Sequence, residues 1–247
     1  MATHSEGRRY AAIAIFFFAL ATGSGQLFRY LPASSSTVVW KLFWILVCIV
    51  GVQVAHRVGP WEAMGQLGLR GSVRLGMAVG LAASVPMLAT LAFTSNSNPR
   101  LATVPTLTTS VIAPLSEELL FRGYLFLQLY RRAGWSFTIA VVTTAGVFGL
   151  AHVGTLVGRT STGQVLGELG MIAVGGAFYA WLLVRWHDNL WVPIGLHGFM
   201  NLSCELFACD ERTGDWRTNA GRILTVVAAV ILTVGWTRRR AAQSRAA

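Results

Sequence analysis

Eight stretches of this chain run apolar for close to the ~20 residues that a helix needs to cross a hydrocarbon core ~30 Å thick. Broken by clusters of Arg, Gly, Pro and Asn, they fall at about 10–28, 37–56, 75–94, 104–130, 136–157, 166–184, 189–208 and 219–236. Runs of that length are not the short periodic stripes of a soluble bundle, and in lipid every backbone N–H and C=O must find a partner inside its own segment, which selects helices. The expected fold is therefore all-α, a polytopic membrane protein with about eight transmembrane helices. The fourth stretch is too long for one straight crossing and carries Pro105 and Pro114, so a kinked or broken helix is expected there. No soluble domain, linker or repeat interrupts the pattern, and residues 1–247 read as a single membrane domain. The segment around 57–74 is suited to lie along the membrane surface before the third span.

The net charge of +10 raises the question of a nucleic-acid partner, but the arginines sort by loop. Arg8 and Arg9, the group Arg57, Arg70 and Arg74, the pair Arg131 and Arg132, Arg185, and the tail Arg238–Arg240 with Arg245 fall on one side. The other side has Arg29, Arg100, Arg159 and the loop with Arg212, Arg217 and Arg222, where Asp210, Glu211 and Asp215 also sit. This asymmetry is what insertion of a membrane protein produces; it puts both termini in the cytoplasm of a cell-membrane protein and excludes nucleic acid as the explanation. Ala19-Leu20-Ala21 after a basic start also matches a cleavable leader, but a retained first span preserves the alternation. Cys48, Cys204 and Cys209 are few and odd in number; a Cys204–Cys209 disulfide has no support in the sequence. Lys41, the single lysine, reads only as the compositional bias of a GC-rich bacterial genome.

With 54% hydrophobic and 12% charged residues, polar groups at membrane depth are few: Glu117, Glu118, Arg122, His152, His197 and Asn201. An ionised group there costs about 2.5–3.5 kcal/mol on insertion scales, so it faces a protein interior and has a partner. Glu118 and Arg122 are i and i+4 with the acid first, the order that favours an ion pair. Glu117 points about 100° away on a helix of ~3.6 residues per turn, which leaves it to face a cavity. Phe148 and His152 share the i, i+4 spacing, as do His197 and Asn201. Each pair alone is explained as well by packing or interhelical hydrogen bonds; three such constellations on three apolar spans are not.

"EELLFR" at 117–122, "FGLAH" at 148–152 and "HGFMN" at 197–201 resemble, in order, the EExxxR, FxxxH and HxxxN motifs of the CAAX protease and bacteriocin-processing (CPBP) family of intramembrane endopeptidases. The similarity covers roughly 104–208, a CPBP-like catalytic core, and extends to Gly175-Gly176-x-x-Tyr179 and to "LGLR" at 67–70. The resemblance implies hydrolysis of a peptide bond in a membrane-anchored or C-terminal-tail protein or peptide, with the lipid bilayer as the other partner. It implies that Glu117 and His152 activate water, that His197 and Asn201 stabilise the oxyanion, and that Glu118, Arg122 and Phe148 support them. Members have also been described as zinc enzymes, with Glu117, His152 and His197 as the alternative ligand set. No H-E-x-x-H is present and no two ligands stand at i and i+4, so no cofactor is the expectation and zinc the alternative. No G-x-S-x-G or G-x-G-D motif supports another protease class. A proton-coupled transporter would also use buried Glu and His but does not call for EExxxR or for an Asn one turn after His. A member that has lost proteolysis, serving as an immunity-type scaffold, is opposed by intact motifs.

Overall fold

A computed structural model describes residues 4–28, 30, 33–98, 101–156, 161–207, 209 and 216–246. All regular structure among them is helical. In chain order the helices are α1 His4–Gly23, α2 Gly25–Phe28, α3 Ala33–His56, α4 Pro60–Gln66, α5 Val73–Thr94, α6 Thr103–Leu107, α7 Ala113–Glu118, α8 Phe137–Leu150, α9 Val153–Leu156, α10 Thr162–Arg185, α11 Trp191–Phe207 and α12 Trp216–Ala246. Of three π-helical stretches, π1 Thr108–Ile112 precedes α7, and π2 Leu119–Phe126 and π3 Gln128–Arg132 follow it. Arg29, Arg100, Arg159, Asp210, Glu211, Arg212 and Asp215, on which part of the loop-charge pattern rests, lie outside the described residues.

Five helical segments are long and apolar enough to cross a membrane: Ser5–Phe28, Ser36–His56, Val73–Thr94, Thr162–Arg185 and Trp216–Ser244. They match five of the eight expected stretches. The other three differ for readable reasons. α8 has 14 residues and α11 has 17, about 21 and 26 Å at ~1.5 Å per residue, both short of the full core. The fourth stretch is helical from Thr103 to Arg132 with no coil residue between. Its irregularity is a change of hydrogen-bond register: the N–H groups of Ala113, Leu127 and Ala133 reach back five residues to Thr108, Arg122 and Gln128. The expected break is thus a widening into π turns, one of the identifiable causes of helix bending.

Two compact units divide the described residues, one from Met1–Gly71 with Ser116–Trp181, the other from Ser72–Leu115 with Leu182–Ala247. In the first, α1 packs on α3 and π3, and π2 packs on α3 and α8. Its centre is aromatic and tight: Tyr124 is fully buried, and a side chain on Gly51 would collide with its hydroxyl. His56 stacks on Tyr10 at 4.7 Å and shares a 2.6 Å hydrogen bond with Gln128. The "LGLR" stretch closes α4: Gly68 has φ 80°, a left-handed conformation that glycine adopts without strain, while Leu67 is fully buried.

The second unit packs α5 against α11 and α12. A Cβ on Gly76 would strike the Trp191 backbone and one on Gly80 the backbone of Gly195 and Leu196; one on Gly195 would sit 2.8 Å from the Gly76 carbonyl. The G-x-x-x-G of residues 76–80 therefore lets α5 and α11 meet backbone to backbone, as small residues do between membrane helices. α12 is tied by Trp186, which stacks on Trp236 at 4.8 Å and donates its indole N–H to Thr233 at 2.9 Å. All three cysteines are free thiols.

Candidate active site

α7 ends at Glu118, so its two carboxylates leave the helix about 100° apart. Arg122 Nη1 donates to Glu118 Oε1 at 3.0 Å, with Glu118 fully buried and Arg122 3% exposed. The i, i+4 pair forms although Arg122 already lies in π2. The guanidinium carbon stands 4.0 Å from the Phe148 ring centre and 5.4 Å from that of Tyr179, so the charge is met by an acid and two ring faces. Its Nη2 is buried and makes no hydrogen bond among the described residues. That nitrogen would be 3.1 Å from a Cβ on Gly176, so the glycine of Gly175-Gly176-x-x-Tyr179 makes room for the arginine that the tyrosine faces.

Phe148 also joins Arg122 to His152. The two rings meet edge to face at 4.8 Å, and His152 Nδ1 lies 2.8 Å from the Phe148 carbonyl. A carbonyl can only accept, so Nδ1 carries the hydrogen and Nε2 is the ring nitrogen turned away from this bond. His152 sits just past the end of α8, in the turn before α9.

Glu117 is not left facing a cavity alone. Lys41 Nζ, from α3, donates to its Oε1 at 2.8 Å, with the two side chains 10% and 15% exposed. The ammonium lies 4.0 Å from the Trp44 ring centre and 5.7 Å from Trp40. Both indole N–H groups donate to the Ala21 carbonyl, at 2.9 and 3.2 Å. An aromatic line then runs Trp40, Trp44, Phe121, Phe148, His152 with neighbouring centres 4.8, 6.3, 4.8 and 4.8 Å apart, with one cation on Trp44 and another on Phe148. Lys41 is the residue that sequence reasoning passed over. The available signal was an ionisable group four residues into the stretch 37–56, at a depth where such groups are expensive.

In the second unit α11 carries His197 and Asn201, both half-buried. Asn201 Nδ2 donates to the Thr109 carbonyl at 3.0 Å. In the π register set by Ala113 bonding to Thr108, residue 114 would serve Thr109, but Pro114 has no N–H to give. The Asn201 amide therefore replaces the bond that the proline removes. One turn of α11 earlier, a Cβ on Gly198 would meet the Ser110 carbonyl at 2.7 Å, so glycine there lets α11 approach π1. His197 is held between this contact and the Gly195 contact with α5.

The expected site residues thus divide: Glu117, Glu118, Arg122, Phe148 and His152 belong to the first unit, His197 and Asn201 to the second. Within neither unit do three His, Cys, Asp or Glu among the described residues gather as a metal site would require. Of the alternative zinc ligands, Glu117 accepts from the Lys41 ammonium on one of its two carboxylate oxygens.

No curated protein and no solved structure matches the chain. Residues 99–203 match the model of one protein family, and that stretch contains all three motifs. Over residues 99–203 this membrane protein is similar to the Rce1-like family of type II CAAX prenyl endopeptidases.

Proposed function

We propose that the chain is a metal-independent intramembrane endopeptidase that cuts a membrane-associated protein or peptide near its C-terminus. The observation that carries this reading is the charge arrangement at 117–122: one buried carboxylate is sealed by Arg122, and its neighbour is held by a second cation in a less sealed place. The sealed pair is closed to water, whereas Glu117 keeps 15% exposure, as a carboxylate that must meet water requires. In the chemistry that the family implies, Glu117 with His152 takes a proton from water as the water oxygen bonds to the scissile carbonyl carbon. His197 and Asn201 stabilise the resulting oxyanion. Asn201 has two amide hydrogens, and its bond to Thr109 uses one of them. Collapse breaks the C–N bond, and the proton passes to the leaving amine.

Lys41 supports the metal-independent version, because it neutralises Glu117 without a metal. Removal of divalent metals by chelation is expected to leave cleavage intact; loss on chelation with recovery on zinc addition reverses that choice. The deciding experiment for the protease reading compares the C-termini of membrane proteins from cells that express the wild type or Glu117→Gln. New C-termini must arise with the wild type alone, and identical sets sink the reading.

The membrane arrangement proposed with it keeps eight spans and both termini in the cytoplasm of a cell-membrane protein. In support, the Arg238–Arg240 tail is exposed at the end of α12. Cysteine labelling that reaches this tail from outside the cell contradicts it.

A further inference from the structure

We propose that Lys41 is a positioning residue for Glu117, fixing the carboxylate that activates water; this rests on the endopeptidase reading above. A lysine in the middle of "VVWKLFWILV" is an expensive residue for an apolar helix, and the place built for it is specific. Its ammonium is set against the Trp44 face, and the Trp40 and Trp44 indoles are both anchored on the Ala21 carbonyl, so the rings that bound the charge are themselves held. From that seat the ammonium reaches Glu117 and not Glu118, which has its own arginine.

The two ion pairs differ in a way that separates roles. Glu118–Arg122 lies within one helical run, one turn apart, and is closed to solvent. Lys41–Glu117 joins helices 76 residues apart in sequence and keeps partial exposure on both partners. A bond made only for stability gains from complete closure; a base must be met by water. The Nζ–Oε1 contact restrains the carboxylate in rotation. Once Glu117 holds the water proton, the adjacent positive charge favours its transfer onward to the leaving amine, so turnover slows without Lys41 while substrate binding does not.

The test uses the full chain in liposomes and an internally quenched peptide with a prenylated C-terminus. Lys41→Met is expected to lower kcat at least tenfold with KM within twofold of wild type, and Lys41→Arg, which keeps the charge, to recover kcat to within threefold. Lys41→Met added to Glu117→Gln should cause no further loss. Lys41→Gln, which can still donate to Glu117 but carries no charge, provides the same reading if the methionine variant does not fold. A folded neutral variant with wild-type kcat, a loss confined to KM, or an arginine variant no better than methionine overturns the proposal. Wild-type protein that leaves the peptide intact, or Glu117→Gln that cleaves as wild type does, instead brings down the endopeptidase reading and this proposal with it.

Discussion

Glu118 in the first unit and Asn201 in the second each sit on an apolar helix beside a residue to which the motifs assign chemistry, yet they are held by opposite means. Glu118 is fixed by charge: Arg122 one turn on, then the faces of Phe148 and Tyr179. Asn201 is fixed by backbone: a carbonyl that Pro114 leaves without its helical donor, reached because the glycine at 198 lets α11 come close to π1. The difference follows from what each must offset. A buried charge needs a counter-charge, or it becomes protonated or unfolds its surroundings. A neutral amide needs only one well-placed acceptor, and in a membrane that acceptor is backbone freed by proline.

The comparison breaks most readily at Arg122. Arg122→Ala strands the Glu118 carboxylate and removes the cation between Phe148 and Tyr179, and opening a buried pair in this way typically costs about 3–5 kcal/mol. Low yield and a strongly lowered unfolding temperature in detergent are expected. Adding Glu118→Gln should recover part of both; a double variant as unstable as the single one would show that the arginine matters through packing and not charge. Glu117→Gln belongs to the same test with a smaller effect. It leaves Lys41 beside an amide, still on the Trp44 face and partly exposed, so a loss of about 1–3 kcal/mol is expected, measured as the shift in unfolding temperature.

The backbone side of the comparison breaks at the helix contact. Gly80→Ala places a methyl against the Gly195–Leu196 backbone, which cannot move aside as a side chain would, and overpacking of this kind costs typically 1–3 kcal/mol. Asn201→Ala should cost about 1 kcal/mol, the net value of one hydrogen bond. Pro114→Ala offers a way to separate its two roles, because it returns an N–H that can serve Thr109. In the Asn201→Ala background it should restore thermal stability and leave cleavage impaired. Restored cleavage would mean that Asn201 acts through Thr109 alone and holds no oxyanion.

What could be read from sequence alone follows chain distance. Glu118–Arg122 and Phe148–His152 lie one turn apart, and helix geometry brings them together whatever the rest of the fold does. Lys41–Glu117 and Asn201–Thr109 lie 76 and 92 residues apart, and their pairing depends on which helices pack and at what register. Five spans were legible because apolar length alone decides them. The π turns were not: Pro105 and Pro114 announce an irregularity, and at π1 the Asn201 bond to the Thr109 carbonyl, supplied by α11, is a contact that the local sequence does not show. Two readable signals went unused, the lysine in α3 and the G-x-x-x-G that opens α5.

The smallest expected effects come from two adjacent glycines, which give the sharpest local form of the comparison. Gly176 and Gly175 both lie in the body of α10, both within the family-like stretch, and sequence gives no reason to rank them. A Cβ on Gly176 would sit 3.1 Å from Arg122 Nη2 and 3.3 Å from both the Ala145 Cα and Phe148 Cδ1. The arginine end could shift, but the Ala145 backbone cannot, so the methyl must displace the guanidinium from the Phe148 face. Gly176→Ala should therefore lower the unfolding temperature by the equivalent of roughly 1 kcal/mol and lower kcat through the Arg122–Phe148–His152 connection. A Cβ on Gly175 meets nothing within 4 Å. There the only change is the helical preference of alanine over glycine, about 0.8–1.0 kcal/mol in water, so Gly175→Ala should be as stable as wild type or slightly more so and cleave within twofold of it. If both variants behave alike, the room beside Arg122 is not what the glycine provides, and the charge-held half of the comparison loses its support at Phe148.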